Sequence, residues 1–435
     1  MTLFIIQFAI VLAALYAGSR YGSLALGALS GIALAILVFG FGMKPGTPPT
    51  DVIYIIIAAI TCASVLQASG GMDWLIQLAE KMLRRHPGNI TFIGPLCTFF
   101  LTVLVGTGHV VYTLMPIIAD IALKKGIRPE RPCAVSSVAS QVGIIASPIS
   151  AAVVAFTTIS AANGYDITIP QVMMVTLPAS ICGILAASLC SYRRGKDLDK
   201  DPEFLKRISD PGQKAAIYGE TATVLDRKIG PKQKAAVFVF AAALVAIILM
   251  GAFGYKQVKM NVVIQIIMLV AASAMIMFCG ASPVEATRGS VFRSGMVAVV
   301  AIFGIAWMAD TFFANYLAGM KDSLGAIIGE YPWAIALVFF ITSVLINSQG
   351  AVVVSMVPLA YSLGIPGYVI LGVLPSVYGY FFLPNYPSDI ATVNFDRSGT
   401  TKIGKYLLNH SFMMPGLVSV AVSCVVGLLI VQLFH

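Results

Sequence analysis

One arrangement of glycine and proline occurs twice in this chain of 435 residues, each time within strongly apolar sequence. Seven mostly apolar residues separate a glycine from a proline in residues 108–116, and again in residues 350–358. The pattern Ser-x-x-Gly-x4-Pro follows each copy, in residues 140–148 and 376–384. Apolar segments that Gly and Pro interrupt at corresponding places in two halves are typical of secondary transporters built from internal repeats. The alternative is chance similarity between two apolar, glycine-rich helices.

The composition indicates an integral membrane protein. The mean hydropathy is +0.89 and only 11% of the residues are charged, whereas soluble domains carry about 25% charged residues. Apolar stretches of about 20 residues match the length that a helix needs to cross a hydrocarbon core of about 30 Å. The alternation typical of barrel strands is missing from the sequence. We therefore predict an all-α, polytopic membrane protein.

The apolar segments predict ten transmembrane crossings and two re-entrant hairpins. The crossings lie at about residues 3–18, 22–42, 51–69, 128–161, 170–192, 235–254, 258–280, 292–314, 365–395 and 406–432. Segments 90–123 and 332–363 each contain two apolar arms around a polar kink, and we interpret them as hairpins that enter and leave on one side. Each half then has five crossings, and this odd number inverts the second half relative to the first.

The distribution of Lys and Arg tests this topology through the positive-inside rule. With the N-terminus outside, all 28 Lys and Arg residues fall on the inner side except Lys44, Lys256, Lys259 and Lys321. This asymmetry favours periplasmic N- and C-termini and accounts for the net charge of +9 without a nucleic-acid partner. Residues 193–234, with 11 basic and 7 acidic side chains, are predicted to form a solvated, partly helical cytoplasmic linker between the repeats.

Two amphipathic segments precede the hairpins. Residues 72–85 are predicted to place Leu75, Leu78, Ala79 and Met82 on one helical face. Residues 315–330 are predicted to do the same with Leu317, Met320, Leu324 and Ile327. Such segments are typical of interfacial helices, which here would be arms between a fixed and a moving unit. A buried amphipathic helix is the alternative.

Four polar breaks in the apolar chain form the predicted binding site. Irregular backbone inside a bilayer survives only where protein buries it or a water-filled cavity adjoins it, and inversion of the halves brings the breaks together. Each break precedes a helix N-terminus, which attracts anions, so a small dicarboxylate fits better than a cation or a sugar. The predicted substrate-binding residues are Gly106, Thr107, Gly108, His109, Ser147, Pro148, Ser150, Asn347, Ser348, Gln349, Gly350, Pro384, Asn385 and Ser388. Helix capping is the alternative role for each Ser and Thr.

Charged residues near these breaks are candidates for gating or electrostatic tuning. His109 at a predicted hairpin tip is interpreted either as a donor to a carboxylate or as a packing residue. Asp389 beside the last break could hold a cation, orient Arg397 or gate the site. Asp310 is interpreted either as a functional intramembrane acid or as a cap of the second arm helix. Arg128 and Arg131 either guide anions or follow the positive-inside bias.

The sequence gives no indication of an enzyme. The seven Cys and four His residues show no metal-ligand spacing, and no nucleophile, zinc-protease or P-loop motif occurs. We therefore predict no metal and no cofactor, and transport that is not driven by ATP. The first segment lacks a positively charged start, which favours a retained helix over a cleaved signal peptide.

Several longer stretches resemble the anaerobic C4-dicarboxylate transporter (Dcu) family over the whole chain. They are residues 66–71 (LQASGG), 81–85 (KMLRR), 106–113 (GTGHVVYT), 128–132 (RPERP), 145–150 (IASPIS), 195–200 (GKDLDK), 384–389 (PNYPSD) and 395–401 (FDRSGTT). The GTGH and YPSD stretches are more similar to the DcuB branch, which implies fumarate uptake against succinate efflux, than to the DcuA branch. Asn385 departs from the Thr expected in that branch, which leaves the substrate preference open.

The family is similar to members of the ion transporter superfamily, and this implies an elevator motion and a homodimer. The implied parts are scaffold 1–69 and 235–314, arms 70–89 and 315–331, transport unit 90–192 and 332–435, and linker 193–234. Superfamily relatives often bind Na⁺ at hairpin tips that read Ser-Asn-Thr. The tips here read differently, so sodium coupling does not carry over.

The resulting hypothesis is an electroneutral exchanger that takes fumarate, malate or aspartate against succinate across the bacterial inner membrane. A first alternative keeps the fold and couples uptake to Na⁺ or H⁺. A second is a co-sensor that acts through residues 193–234 on a membrane sensor kinase. A channel is a third alternative, which saturable counterflow would exclude.

Overall fold

The computed structural model describes residues 2–21, 24–219, 222–253, 258–384, 386–404 and 408–433. The described chain is helical apart from loops and one isolated β-bridge between Ile403 and His410. The expected all-α class is therefore confirmed. The largest apolar core joins helices from both halves of the chain through side chains such as Leu66, Phe156 and Ile302.

The helices of the first half begin with α1 (Thr2–Tyr21), α2 (Ala25–Ala35, continued by a π-helical turn), α3 (Thr50–Ala68), α4 (Gly71–Arg85), α5 (Ile90–Val105), α6 (Val111–Lys124), α7 (Glu130–Val142), α8 (Ala151–Ala162) and α9 (Ile169–Ser191). The linker contains α10 (Pro202–Ile208) and α11 (Pro211–Tyr218). The second half contains α12 (Pro231–Phe253), α13 (Met260–Cys279), α14 (Pro283–Arg288), α15 (Ser290–Glu330), α16 (Ile335–Leu345), α17 (Gln349–Ser362), α18 (Gly367–Val373), α19 (Pro387–Phe395) and α20 (Met413–Val431).

Within the described ranges, eight helical segments are long and apolar enough to cross a membrane, which supports a multi-pass protein. Seven coincide with predicted crossings, and the eighth, Pro87–Val105, is the first arm of a predicted hairpin. The other three predicted crossings contain shorter apolar helices, namely Thr2–Gly18, Ala25–Gly40 and Gly367–Val377. The count of ten crossings and the orientation of the termini stay predictions.

The helices break at the predicted positions. The first hairpin turns between α5 and α6, and the second turns at residues 346–348 between α16 and α17. The two broken helices are interrupted between α7 and α8 and between α18 and α19. Short 3₁₀ turns at Gly143–Ala146 and Leu374–Val377 introduce the last two breaks.

The second arm is not a separate helix. Residues 290–330 form one helix of 41 residues, so the arm expected at 315–330 is a continuation of α15. The helix continues through Asn315, whose side-chain amide donates to the main-chain oxygen of Thr311 at 2.8 Å, one turn earlier in the same helix. The capping role of Asp310 is also wrong, since its carboxylate lies within the helix and accepts the N–H of Thr47 at 2.8 Å.

The first arm, α4, is present, but a different face is buried. Met72, Ile76 and Leu83 pack inward, whereas Leu78 and Met82 are each 45% exposed. The predicted apolar face therefore contains the exposed residues Leu78 and Met82 beside the buried Ala79. The protein covers one apolar edge of the helix and leaves the other open, which is consistent with a position at a lipid interface.

Candidate functional site

The tip of the first hairpin depends on a left-handed glycine. Gly106 ends α5 with φ +79°, and its N–H donates to the oxygen of Thr102 at 2.8 Å. A Cβ at Gly106 would lie 2.9 Å from Cγ1 of Ile149, so the first break contacts the second. The hydroxyl of Thr107 then accepts the N–H of His109 at 3.4 Å and caps the following 3₁₀ turn.

The next two breaks are capped in the same way. The hydroxyl oxygen of Ser150 accepts the N–H of Val153 at 3.2 Å at the start of α8. Ser348 does the same for α17, where its oxygen lies 3.3 Å from the nitrogen of Ala351. The capping alternative is therefore confirmed for Thr107, Ser150 and Ser348. A capping hydroxyl accepts from the backbone and still has its own hydrogen to donate.

The four breaks share one cavity of about 460 Å³. Its polar wall is formed by the breaks and includes Gly106, Thr107, His109, Ile149, Asn347, Ser348, Gln349, Gly350, Tyr380, Tyr386 and Pro387. Its opposite wall is formed by α2, α3 and α15 and includes Leu26, Ile56, Ala59, Ile60, Ala63, Gly295, Ala298 and Ala301. The convergence that the sequence predicts is therefore present.

Seven of the predicted binding residues line this cavity: Gly106, Thr107, His109, Asn347, Ser348, Gln349 and Gly350. Six are not among the lining residues and are buried behind it or beside it: Gly108, Ser147, Pro148, Ser150, Pro384 and Ser388. Asn385 lies outside the described residues. Hydroxyl, amide and backbone donors dominate the polar wall, and no Lys or Arg of the described chain lines the cavity.

The predicted arginines lie elsewhere. Arg128 pairs with Glu130 at 2.7 Å and with Asp201 at 2.5 Å, and Arg131 pairs with Asp197 at 2.7 Å. These contacts fix the start of the linker to the N-terminus of α7. Burial alone raises the pKa of Asp201, but hydrogen bonds from its backbone neighbours and from Arg128 outweigh it and hold that pKa below its usual value.

Arg397 does not contact Asp389. Its guanidinium pairs with Asp120 at 2.9 Å, so the predicted orientation of Arg397 by Asp389 is wrong. Asp389 is only 1% exposed and accepts the hydroxyl of Ser137 at 2.7 Å. Among the described residues, no cationic side chain lies within ion-pair distance of Asp389. Its carboxyl group is thus buried close to the cavity.

A buried hydrogen-bond network behind the polar wall is not predicted by the sequence analysis. Tyr380 donates to the side-chain oxygen of Gln141 at 2.7 Å. Gln349 donates to the main-chain oxygen of Gln141 at 2.8 Å and to the hydroxyl of Tyr380 at 3.2 Å. The other side-chain atom of Gln141 donates toward Ser140 at 3.2 Å and Ser388 at 3.5 Å. The network therefore ties the third and fourth breaks to the end of α7.

The repeat pattern contains a signal for this network. Aligning residues 140–148 with residues 376–384 pairs Gln141 with Val377 and Ile144 with Tyr380. At each of these two positions one copy is polar and the other apolar. The two polar residues, Gln141 and Tyr380, bond to each other. These two departures from the repeat thus mark residues of the network.

Residues 3–435 match the profile of a family described as anaerobic C4-dicarboxylate membrane transporters, DcuA and DcuB. The chain belongs to this family. The anaerobic C4-dicarboxylate transporter DcuB of Escherichia coli O157:H7 is 46% identical over 435 residues, with 98% of each chain covered. The C4-dicarboxylate transporters DcuA of Wolinella succinogenes and Escherichia coli strain K12 are 33% and 34% identical, over 98% and 97% of this chain and 98% of each relative.

These comparisons confirm the family predicted from the sequence motifs, and the identity to DcuB exceeds the identity to the two DcuA proteins. The relatives are membrane transporters, in agreement with the prediction of a transporter rather than an enzyme.

Proposed function

We propose that the protein exchanges C4-dicarboxylates, with fumarate, malate or aspartate entering against succinate, across the bacterial inner membrane. The observation that carries this proposal is the convergence of four helix interruptions on one side of a single cavity. The helices that start there, α6, α8, α17 and α19, each direct an N-terminus with a partial positive charge of about 0.5 toward that side. Together they could compensate a dianion without Lys or Arg.

The contrast between the two walls supports an elevator mechanism. The polar wall belongs to residues 90–192 and 332–435, the predicted transport unit, and the apolar wall belongs to the predicted scaffold. An apolar surface makes no directional bonds with its neighbour, so a unit that carries the substrate can slide along it without losing hydrogen bonds. The cavity would then move with the transport unit while the scaffold stays in place.

Close backbone contacts support two separate bodies built from both halves. In the predicted scaffold, a Cβ on Gly304 of α15 would lie 2.1 Å from the main-chain oxygen of Gly27 in α2. In the predicted transport unit, a Cβ on Gly183 of α9 would lie 2.4 Å from the main-chain oxygen of Ser419 in α20. Small residues that let helix backbones touch are typical of tight helix pairs in membranes. We infer an inverted repeat whose equivalent parts pair in this way.

Obligate exchange follows from the electrostatics of this site. An empty site with uncompensated helix ends crosses the bilayer poorly, whereas a bound dianion neutralises those ends. The first test is therefore counterflow of labelled succinate in proteoliposomes, with unlabelled dicarboxylate on the opposite side. Efflux should stall without a counter-substrate. Steady efflux into buffer without one would contradict the proposal of exchange.

The binding site can be tested with two capping residues of the polar wall. Replacing Thr107 or Ser348 by Ala should raise the half-saturating concentration of succinate about tenfold, because a donor to a carboxylate is lost. Thr168→Ala is the matched control, since Thr168 caps α9 through the N–H of Gln171 and is not a cavity residue. Unchanged half-saturation in both site variants would mean that the substrate binds elsewhere.

A second candidate, symport with Na⁺ or H⁺, is favoured by Asp389. This carboxylate is buried beside the last break and pairs with no cation among the described residues. A transported cation would compensate it. Uptake that requires an inward sodium or proton gradient, without any internal dicarboxylate, would favour this candidate over exchange. The homodimer, the periplasmic termini and the contact with a sensor kinase stay predictions.

A further inference from the structure

The orientation of one amide on the polar wall is fixed by its neighbours. Gln349 is 2% exposed, and its nitrogen donates to the main-chain oxygen of Gln141, which can only accept. The same nitrogen donates to the oxygen of Tyr380, whose hydrogen is already committed to Gln141. Turning the amide around would place its oxygen against these two acceptors. The Nε2 atom must therefore face the network, and the Oε1 atom must face away from it.

The Oε1 atom of Gln349 accepts no hydrogen bond in the described structure. It is a buried acceptor on a residue that lines the cavity. Most buried polar atoms are paired, and those that are not need an explanation, such as a role in binding. A ligand that brings an O–H or N–H group to this position would satisfy it.

The neighbouring hydroxyl groups of Thr107 and Ser348 are suited to donate hydrogen bonds. The hydroxyl oxygens of Thr107 and Ser348 already accept backbone N–H groups of their own helices. Their hydrogens therefore remain to donate to a carboxylate. Ser348 and Gln349 are adjacent in the chain and both line the cavity, so a substrate held at Ser348 has Gln349 as a neighbour on the same wall. A fully ionised, unsubstituted dicarboxylate has only acceptors and leaves Oε1 unpaired.

We propose that Gln349 is a specificity-determining residue that accepts a hydrogen bond from a hydroxyl or ammonium group on the carbon next to a substrate carboxylate. The site then favours 2-hydroxy and 2-amino C4-dicarboxylates, such as malate and aspartate, over succinate. Gln141 and Tyr380 act as positioning residues because they hold the amide in the accepting orientation. This inference rests on the proposed dicarboxylate site.

The test is competition against counterflow of labelled succinate by the full-length protein in proteoliposomes at pH 8, where all carboxyl groups are ionised. Unlabelled succinate, malate and aspartate are the competitors. We expect wild-type protein to bind malate or aspartate about tenfold more tightly than succinate, which corresponds to about 1.4 kcal/mol. Gln349→Met keeps the size of the side chain and removes the acceptor. It should weaken the binding of malate and aspartate about tenfold more than the binding of succinate, which brings the ratio close to one. Gln213→Met, on the exposed surface of α11, is the matched control.

Tyr380→Phe provides an independent readout. Without the phenol oxygen, Gln349 keeps only one acceptor for its nitrogen, so its amide is held less firmly and the ratio should fall about threefold. If the Gln349→Met protein shows no exchange, Tyr380→Phe alone tests the inference. The inference is overturned if an active Gln349→Met or Tyr380→Phe protein keeps the wild-type ratio of affinities for the substituted acids and succinate. It is also overturned if wild-type protein does not prefer malate or aspartate to succinate. Absence of counterflow with every dicarboxylate, in wild-type protein, overturns the proposed function instead.

Discussion

Replacing Gly108 by Ala should disable the network behind the polar wall without adding a polar group. The new methyl group would lie 2.4 Å from the side-chain nitrogen of Gln141 and 2.9 Å from its amide carbon, where non-bonded atoms prefer about 3.5–4.0 Å. The end of a long side chain usually yields at little cost. Gln141 cannot, because it is 1% exposed and bonded to Tyr380 and Ser140.

The expected loss follows from the bonds that must break. Moving the amide of Gln141 sacrifices about two hydrogen bonds, each worth about 1 kcal/mol. A loss of about 2 kcal/mol corresponds to a rise of about 30-fold in the half-saturating concentration if the network orders the binding site. The assay is succinate counterflow in proteoliposomes over a range of external concentrations.

A control in the same hairpin separates this effect from the general cost of a substitution. Gly88 precedes α5, and a Cβ at Gly88 would meet no atom within 4 Å. Gly88→Ala should therefore leave half-saturation within about twofold of wild type. If Gly108→Ala does the same, the network does not order the site and the reasoning is refuted.

Three further predictions concern the tip and the linker. Gly106 has φ +79°, and a Cβ there would contact Ile149. Gly106→Ala should therefore lower the free energy of unfolding by about 1–2 kcal/mol, which thermal melting in detergent would measure. The pKa of Asp201 lies below its usual value, so its contribution to linker docking is complete above the unfolded pKa of about 3.9 and is lost as pH falls through the lower folded pKa. The protection of residues 198–208 against hydrogen exchange, relative to the intrinsic exchange rate at each pH, should thus fall at acidic pH, but show no such step in Asp201→Asn. Glu80 accepts the N–H of Val224 in the linker and pairs with Arg84 of its own helix. Glu80→Gln should weaken this attachment of the linker to α4, so trypsin should cleave at Arg227 roughly tenfold faster; an unchanged rate would contradict this role.

The sequence predicts the breaks because their causes are local. Gly106 is needed for a positive φ, and Ser150 and Ser348 cap the helices that follow them. Their convergence was predictable from the repeat and from the rule that irregular backbone in lipid lines a cavity. The family followed from longer stretches of similar sequence.

What the sequence does not predict depends on contacts between distant segments. Gln141 and Tyr380 are 239 positions apart, and the hydrogen bond between them joins segments from the two halves of the chain. The wrong assignment of Asp310 has the same origin, because its partner is the backbone of Thr47 in another loop. A capping role was predicted from local sequence alone.

The partly helical linker was predicted, with α10 and α11 within it, but the attachment of its ends to the helices was not. Gln77 on α4 donates to the main-chain oxygens of Val224 and Arg227 at 2.9 and 2.7 Å. The other end of the linker is fixed through Asp201 to Arg128. Its mixed charge predicted a solvated segment, but ion pairs and backbone hydrogen bonds attach both of its ends to the helices.

The unbroken helix α15 makes the two hairpins mechanically unequal. At 1.5 Å per residue, its 41 residues measure about 60 Å, twice the hydrocarbon thickness. The second hairpin therefore follows a long, rigid helix through a single turn at Tyr331 and Pro332. The first hairpin has an additional turn ahead of α4, at Gly70 with φ +77°. In the proposed elevator motion, a displacement of the transport unit would be taken up at two joints before the first hairpin and at one before the second, so the turn at Tyr331 and Pro332 would limit how far the unit moves.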